Sequence, residues 1–198
     1  MLLALATHFH CEVFQFDVSS ASLNADLEED VYVEQPLGFE NPGKWSKLLC
    51  KLLKGLYCLK QAGRCWNRTL DKFLTEFGLT RSMIESCCYS KSDLSGNRFF
   101  ICVWVDDIIY FSTSSDFAEF FKKCFFKKFK IEDKSSMKWF LGVSVDQSPG
   151  KITFSQKSYI LDLLSCFGMS DCNRCGLPMA ANTRIDKSSC PELESDTF

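Results

Sequence analysis

Asp106 and Asp107 stand side by side in a run of thirteen residues, Phe99 to Phe111, that holds no other charged group. The flanks, Arg98 to Val105 and Ile108 to Phe111, are rich in β-formers. Two such runs joined by two residues predict a hairpin. Because the flanks are apolar at successive positions, the hairpin is expected in the middle of a sheet, covered on both faces. Burying a carboxylate costs several kcal/mol unless it is paired, and this run offers no Lys or Arg. A solvated tight turn is one solution, although Asp-Asp suits a two-residue turn less well than Asn-Gly or Asp-Gly. A divalent metal as counter-charge is the other. Mg²⁺ takes oxygen ligands, usually one or two carboxylates plus substrate phosphates.

A third carboxylate fits the second solution. Cys11 to Val18 alternates well enough for a strand and carries Asp17 near its end. If that strand lies beside the hairpin, Asp17, Asp106 and Asp107 converge at one sheet edge. Two metals about 3.5–4 Å apart could then clamp the attacking and leaving oxygens of a phosphoryl transfer.

The remaining pattern is mixed. Residues 1–10 read as the end of a helix, Val31 to Val33 and Leu48 to Leu53 as strands. Lys60 to Phe77 reads as a helix with one apolar stripe, Trp66, Leu70, Phe73, Leu74 and Phe77. Phe117 to Phe129 is expected to be a helix with Phe117, Phe120, Phe121, Cys124 and Phe125 inward. Trp139 to Asp146 and Lys151 to Ser155 suggest a second hairpin around Pro149-Gly150, and Gln156 to Phe167 a last helix. This order predicts an α+β fold, a two-layer sandwich of an antiparallel sheet with helices on one face.

Charge is divided along the chain. Residues 1–43 contain eight acids and no Lys or Arg, leaving 23 basic and 17 acidic residues after them. Such a split is compatible with a polyanionic partner and equally with solvated faces. Lys60, Arg64, Arg68 and Lys72 on one helix, and the lysines from Lys122 to Lys138, are the cations available to a nucleic acid. Most of the twelve cysteines sit in apolar stretches, where a free thiol acts as a small hydrophobe. No secretory signal is legible and no apolar run approaches the ~20 residues of a membrane span, so an intracellular protein without membrane association is expected. Cys172 and Cys175 form a lone CxxC, whereas a zinc ribbon needs a second pair.

The motifs together resemble a known family. Gln15-Phe16-Asp17-Val18-Ser19-Ser20-Ala21-Ser22-Leu23-Asn24 resembles the first catalytic block of copia-type LTR-retrotransposon reverse transcriptases, QMDVKTAFLNG. Asp30 to Phe39 resembles the block after it. Leu49 to Trp66 resembles CKLxKALYGLKQAPRxW, Val103 to Ile108 resembles the YVDD block, and Phe140-Leu141-Gly142 with Ile152 to Asp171 resembles the end of the palm.

The resemblance implies a right-hand polymerase palm with part of the fingers, spanning residues 1–180, before a tail at 181–198 expected to lack fixed structure. It implies an RNA-directed DNA polymerase domain within a Pol-type polyprotein, acting in a cytoplasmic particle. Its partners would be an RNA or DNA template-primer and deoxynucleoside triphosphates, and its cofactors two Mg²⁺ or Mn²⁺ ions per site. Asp17, Asp106 and Asp107 map onto the catalytic, metal-binding carboxylates, with Asp107 the weaker ligand. Val18, Ser22 and Gln61 map onto the nucleotide pocket, and Trp104 lies near the primer end. Ser22 stands where the family has Phe under the sugar, which implies relaxed exclusion of ribonucleotides. Trp104 replaces the Tyr of YVDD. With so many departures in the blocks, the alternative is a truncated remnant that binds nucleic acid weakly and catalyses nothing. A cyclase-like phosphotransferase on a similar sheet would leave the LKQA and FSQKSYI blocks unexplained.

Overall fold

A computed structural model describes residues 1–40, 48–179 and 182–183. In chain order the elements are α1 (Leu2–His8), β1 (Phe14–Val18), a 3₁₀ turn (Ala21–Asn24), β2 (Asp26–Glu34), β3 (Leu49–Lys54), α2 (Ala62–Glu76), β4 (Thr80–Arg81), β5 (Cys88–Ser92), β6 (Arg98–Trp104), β7 (Asp107–Ser112), α3 (Ser115–Lys128), β8 (Ile131–Ser136), β9 (Trp139–Phe140), β10 (Val143–Ser148), β11 (Lys151–Ser155) and α4 (Lys157–Cys166). The chain divides into two compact units, Met1–Gln156 and Lys157–Phe198. Helix α4 belongs to the second unit, with Gly168 just past its end at φ +63°. The expectation for the tail at 181–198 lies outside the described residues, apart from Asn182 and Thr183.

The first unit is built on a six-stranded sheet of order β4-β5-β6-β7-β1-β8, every pairing antiparallel. The apolar hairpin β6–β7 lies inside it, as its double-sided pattern requires. On one face, Phe16, Val18, Ile101, Val103, Ile108 and Tyr110 pack against Trp66, Leu70 and Leu74 of α2 and Phe121 and Phe125 of α3. Helices α2 and α3 therefore share one face. Ring pairs such as Phe99–Phe121, with centroids 4.9 Å apart, and Phe16–Phe125, 5.8 Å apart, join α3 to the strands.

The expectation of helices on one face alone is corrected by α1. Ala6 of α1 joins Val13, Ile109, Phe111, Met137 and Val145 in a second cluster on the opposite face. That cluster links the large sheet to the small antiparallel sheet β11-β10-β9. The Gln147 side chain ties the two sheets together, accepting from Val13 N–H at 2.9 Å and donating to the Val13 and Met137 carbonyls, each at 2.9 Å.

Local signals account for the helix ends. Ser114 caps α3, its hydroxyl accepting from Phe117 N–H at 3.3 Å, with Asp116 in the first turn and Lys127 and Lys128 in the last. Two expectations, one for a helix and one for a strand, shift in detail. Phe120 is 57% exposed, held by a ring contact to Phe77 rather than buried. Trp139 to Asp146 is not one strand, because Leu141 (φ +49°) and Gly142 (φ +77°) turn the chain between β9 and β10.

The charge division is settled within the fold. The acidic strand β2 meets the basic side chains of β3 and α2: Asp30 with Lys51 at 2.6 Å, Asp26 with Lys54 at 2.7 Å, Glu29 with Arg64 at 3.7 Å, and Glu28 with Arg68. These pairs are exposed and each contributes little alone. They occupy Arg64 and Arg68, two of the four cations that the helix from Lys60 offers to a nucleic acid.

Candidate active site

Strand register assembles the site. Asp17 on β1 lies directly opposite Asp107 on β7, one step from Asp106. Across β6 and β7, Trp104 is opposite Asp107, so the two turn residues are Val105 and Asp106. The turn is thus one residue earlier than the sequence suggests, and Asp107 is already in the strand. Partners across an antiparallel ladder present side chains on the same face. On the far side of β1, Asp17 is opposite Glu132 of β8. Trp104, Asp107, Asp17 and Glu132 therefore form one row across four strands.

The turn that holds Asp106 is strained. Val105 has φ +56°, a left-handed conformation that a β-branched residue rarely adopts. The neighbouring structure holds it there. The Trp66 indole N–H, from α2, donates to the Val105 carbonyl at 2.6 Å. Val18 N–H donates to the Asp106 carbonyl at 3.0 Å, extending the β1 ladder around the turn.

Each carboxylate has its own partner. Gln15, 5% exposed, donates its amide to Asp107 Oδ1 at 3.0 Å. The Tyr57 hydroxyl reaches Asp106 Oδ2 at 3.5 Å, and burial followed by the Asp106 charge pushes the Tyr57 phenol up. Lys134 Nζ lies 3.1 Å from Asp17 Oδ2. The hydrogen bond to Asp17 and the charges of Asp17, Asp107 and Glu132 push the Lys134 ammonium up. The backbone thus gathers three acids, and each carboxylate meets a different side chain. Among the described residues, no three His, Cys, Asp or Glu side chains are grouped to hold a metal ion. The donor type nevertheless suits a hard divalent cation: carboxylates on neighbouring backbone positions, with an ammonium already paired to Asp17.

The other expected site residues fall in three places. The Val18 side chain is 1% exposed, in the core beneath the site. Ser22, 7% exposed, is in the 3₁₀ turn that follows β1. Gln61 immediately precedes α2 and lines a shallow depression with Glu29, Lys60 and Arg64, a lining that includes none of the three aspartates. Trp104 ends β6 and is 56% exposed. Lys134 and Glu132 were not legible as site residues, because β8 itself carries almost no apolar signal. Gln15 was legible only as part of a motif. Cys172 and Cys175 are exposed free thiols, the latter donating to the Leu177 carbonyl at 3.2 Å. Among the described residues, no helix is long and apolar enough to cross a membrane.

Comparison with known proteins agrees with the order of the motifs. The family model described as reverse transcriptase (RNA-dependent DNA polymerase) matches residues 1–181. The retrovirus-related Pol polyprotein from transposon TNT 1-94 of Nicotiana tabacum is 33% identical over 192 residues, covering 96% of this chain and 14% of the polyprotein. The Pol polyprotein from transposon RE1 of Arabidopsis thaliana is 29% identical over 197 residues, 100% of this chain and 13% of the relative. A Ty5-1 transposon protein of Saccharomyces cerevisiae is 30% identical over 182 residues, 91% of this chain and 58% of the relative. The chain therefore spans about one seventh of the plant polyproteins it matches. No solved structure matches it.

Proposed function

Since the chain belongs to the reverse transcriptase family of copia-type retrotransposon Pol polyproteins, we propose that it is a polymerase palm with part of the fingers and that it carries out template-directed nucleotidyl transfer at Asp17, Asp106 and Asp107. The observation that carries this reading is the register of Asp17 opposite Asp107, one residue from Asp106 on a strained turn. Helices α2 and α3 lie on the other face of the sheet, and the row of carboxylates shares its face with the second core cluster, at the strand ends next to the Val105–Asp106 turn.

In this reading the partners are an RNA or DNA template-primer, deoxynucleoside triphosphates and the remainder of a Pol polyprotein. Asp17 and Asp106 are the principal holders of divalent magnesium or manganese, two ions per site, with Asp107 secondary. Those ions, when bound, supply the Lewis acidity that favours attack of a primer 3′-hydroxyl on an α-phosphate with pyrophosphate leaving. The chain's own contribution is position. Gln15 fixes one oxygen of Asp107, leaving the other free. Trp66 fixes the carbonyl of Val105 and with it the direction of Asp106. Ser22, the residue for which the family resemblance implies relaxed sugar discrimination, is placed one turn beyond Asp17. The Trp104 indole lies in the row of the carboxylates, where the reading puts the primer end.

Primer extension on poly(rA)·oligo(dT), with Mg²⁺ or Mn²⁺, tests the reading. Incorporation by the 198-residue chain that falls at least about a hundredfold in Asp17→Asn and Asp106→Asn is the expected result. Primer binding without incorporation in the parent chain would instead favour the inactive remnant.

A further inference from the structure

The strand that sequence reading does not find, β8, brings two charged side chains to the row of carboxylates. Glu132 is opposite Asp17, which is opposite Asp107. Neighbouring strands are about 4.8 Å apart, so three like charges on adjacent strands repel one another strongly unless a cation lies among them. Lys134 supplies that cation, with Nζ at 3.1 Å from Asp17 Oδ2 and the Asp107 and Glu132 charges also acting on it. Its side chain is 39% exposed and that of Asp17 32%, so both remain open to ions from solution.

We propose that Lys134 is a built-in counter-cation of the carboxylate row, which a divalent ion must displace from Asp17 before the site is loaded. The inference rests on the reading of Asp17 as a metal ligand. It follows from what a tethered ammonium does to the binding equilibrium. Metal-free, the row is stabilised by a cation that needs no capture from solution. To bind at Asp17, the metal breaks the ion pair and then meets a displaced positive charge still anchored nearby on β8. Both effects weaken divalent binding. Lys134 thereby acts as a positioning residue, holding Asp17 Oδ2 in an ion pair until a cation of higher charge takes its place. Coupled to this, nucleotide-bound metal, which arrives with phosphate negative charge, offers the released ammonium a new partner that free metal lacks.

The test is Mn²⁺ binding to the full chain without nucleotide, read as free Mn²⁺ by electron paramagnetic resonance. Removing an exposed ion pair and the repulsion behind it corresponds to a tightening of roughly threefold to tenfold. Lys134→Met and Lys134→Gln should both show it, Lys134→Arg should bind as weakly as the parent, and Lys123→Met on α3 should change nothing. Unchanged or weaker affinity in both Lys134→Met and Lys134→Gln overturns the inference. Asp17→Asn separates that failure from failure of the underlying reading: loss of Mn²⁺ binding in Asp17→Asn keeps Asp17 as a ligand, whereas parent-like binding there removes the ligand assignment itself.

Discussion

The indole N–H of Trp66 and the carbonyl of Val105 meet at 2.6 Å, joining helix α2 to the turn that presents Asp106. Trp66 is 2% exposed, so the donor is fixed by the core around it, while the accepting turn residue Val105 is 53% exposed. Trp66→Phe keeps an aromatic ring and deletes the donor. Losing this hydrogen bond, with some lost volume around a buried ring, should cost about 1–3 kcal/mol of stability, measured as a fall in the urea midpoint. The strain at Val105 predicts the opposite sign one residue from where strands normally lose by it. Val105→Gly relieves a left-handed conformation that costs roughly 1–2 kcal/mol, and its urea midpoint should equal or exceed the parent's. Val103→Gly, in the same hairpin but buried, should lose about 2–4 kcal/mol.

Gly55 shows a different use of glycine. Its N–H donates to the Ala25 carbonyl at 2.9 Å, and a Cβ added there would lie 2.7 Å from the Ser22 carbonyl oxygen. Backbone cannot yield as a side chain does. Gly55→Ala should therefore cost roughly 1–3 kcal/mol through local displacement. Amide exchange should rise at Ala25 and its neighbours in the 3₁₀ turn, and not in the β6–β7 hairpin.

Gln147 connects the two sheets through three short hydrogen bonds to backbone at Val13 and Met137. Gln147→Ala strands those groups near the second core cluster. A loss of about 1–3 kcal/mol is expected by urea denaturation. Gln147→Glu keeps the acceptor for Val13 N–H but sets a carboxylate against two carbonyls, and should be at least as damaging.

The link between β2 and α2 predicts a pH dependence. Arg68 holds the Glu28 carboxyl below its ordinary value of 4.5, first through the hydrogen bond and then through charge. A carboxyl lowered in the folded state contributes stability above its unfolded pKa and loses it as pH falls through the folded one. The difference in urea midpoint between the parent and Arg68→Met should therefore be present at pH 7 and vanish as the pH is taken well below 4.5. Both groups are exposed, so 1 M salt at pH 7 should shrink the difference too.

What was legible in the sequence follows from how much of each strand is covered. β7 is buried on both faces, β6 is buried on one and half-buried on the other, and their unbroken apolar runs announce a central hairpin. The stripe of α2 is equally plain, since Trp66, Leu70 and Leu74 face a single core. β8 has one such residue, Ile131, and its remaining sequence Glu-Asp-Lys-Ser-Ser reads as a loop. Missing it meant missing Glu132 and Lys134. The turn at Val105 was shifted by one residue because local preference argues against a β-branched residue at positive φ. There the ladder on both sides and the Trp66 hydrogen bond outweigh preference. Arg64 and Arg68 of α2 look available because nothing local shows that β2 folds against them.

Strand β8 also closes the described six-stranded sheet on the side of β1. A flat, apolar strand in that position would offer its free backbone groups to any extended chain it met. β8 instead carries Glu132, Asp133 and Lys134, a Lys122–Asp133 ion pair across to α3, Ser135 at φ +58° and an irregular register against β1. Charge and a break in regularity are what deter edge-to-edge pairing. The composition that concealed this strand is thus the one that keeps a phenylalanine-rich sheet from polymerising through its open side.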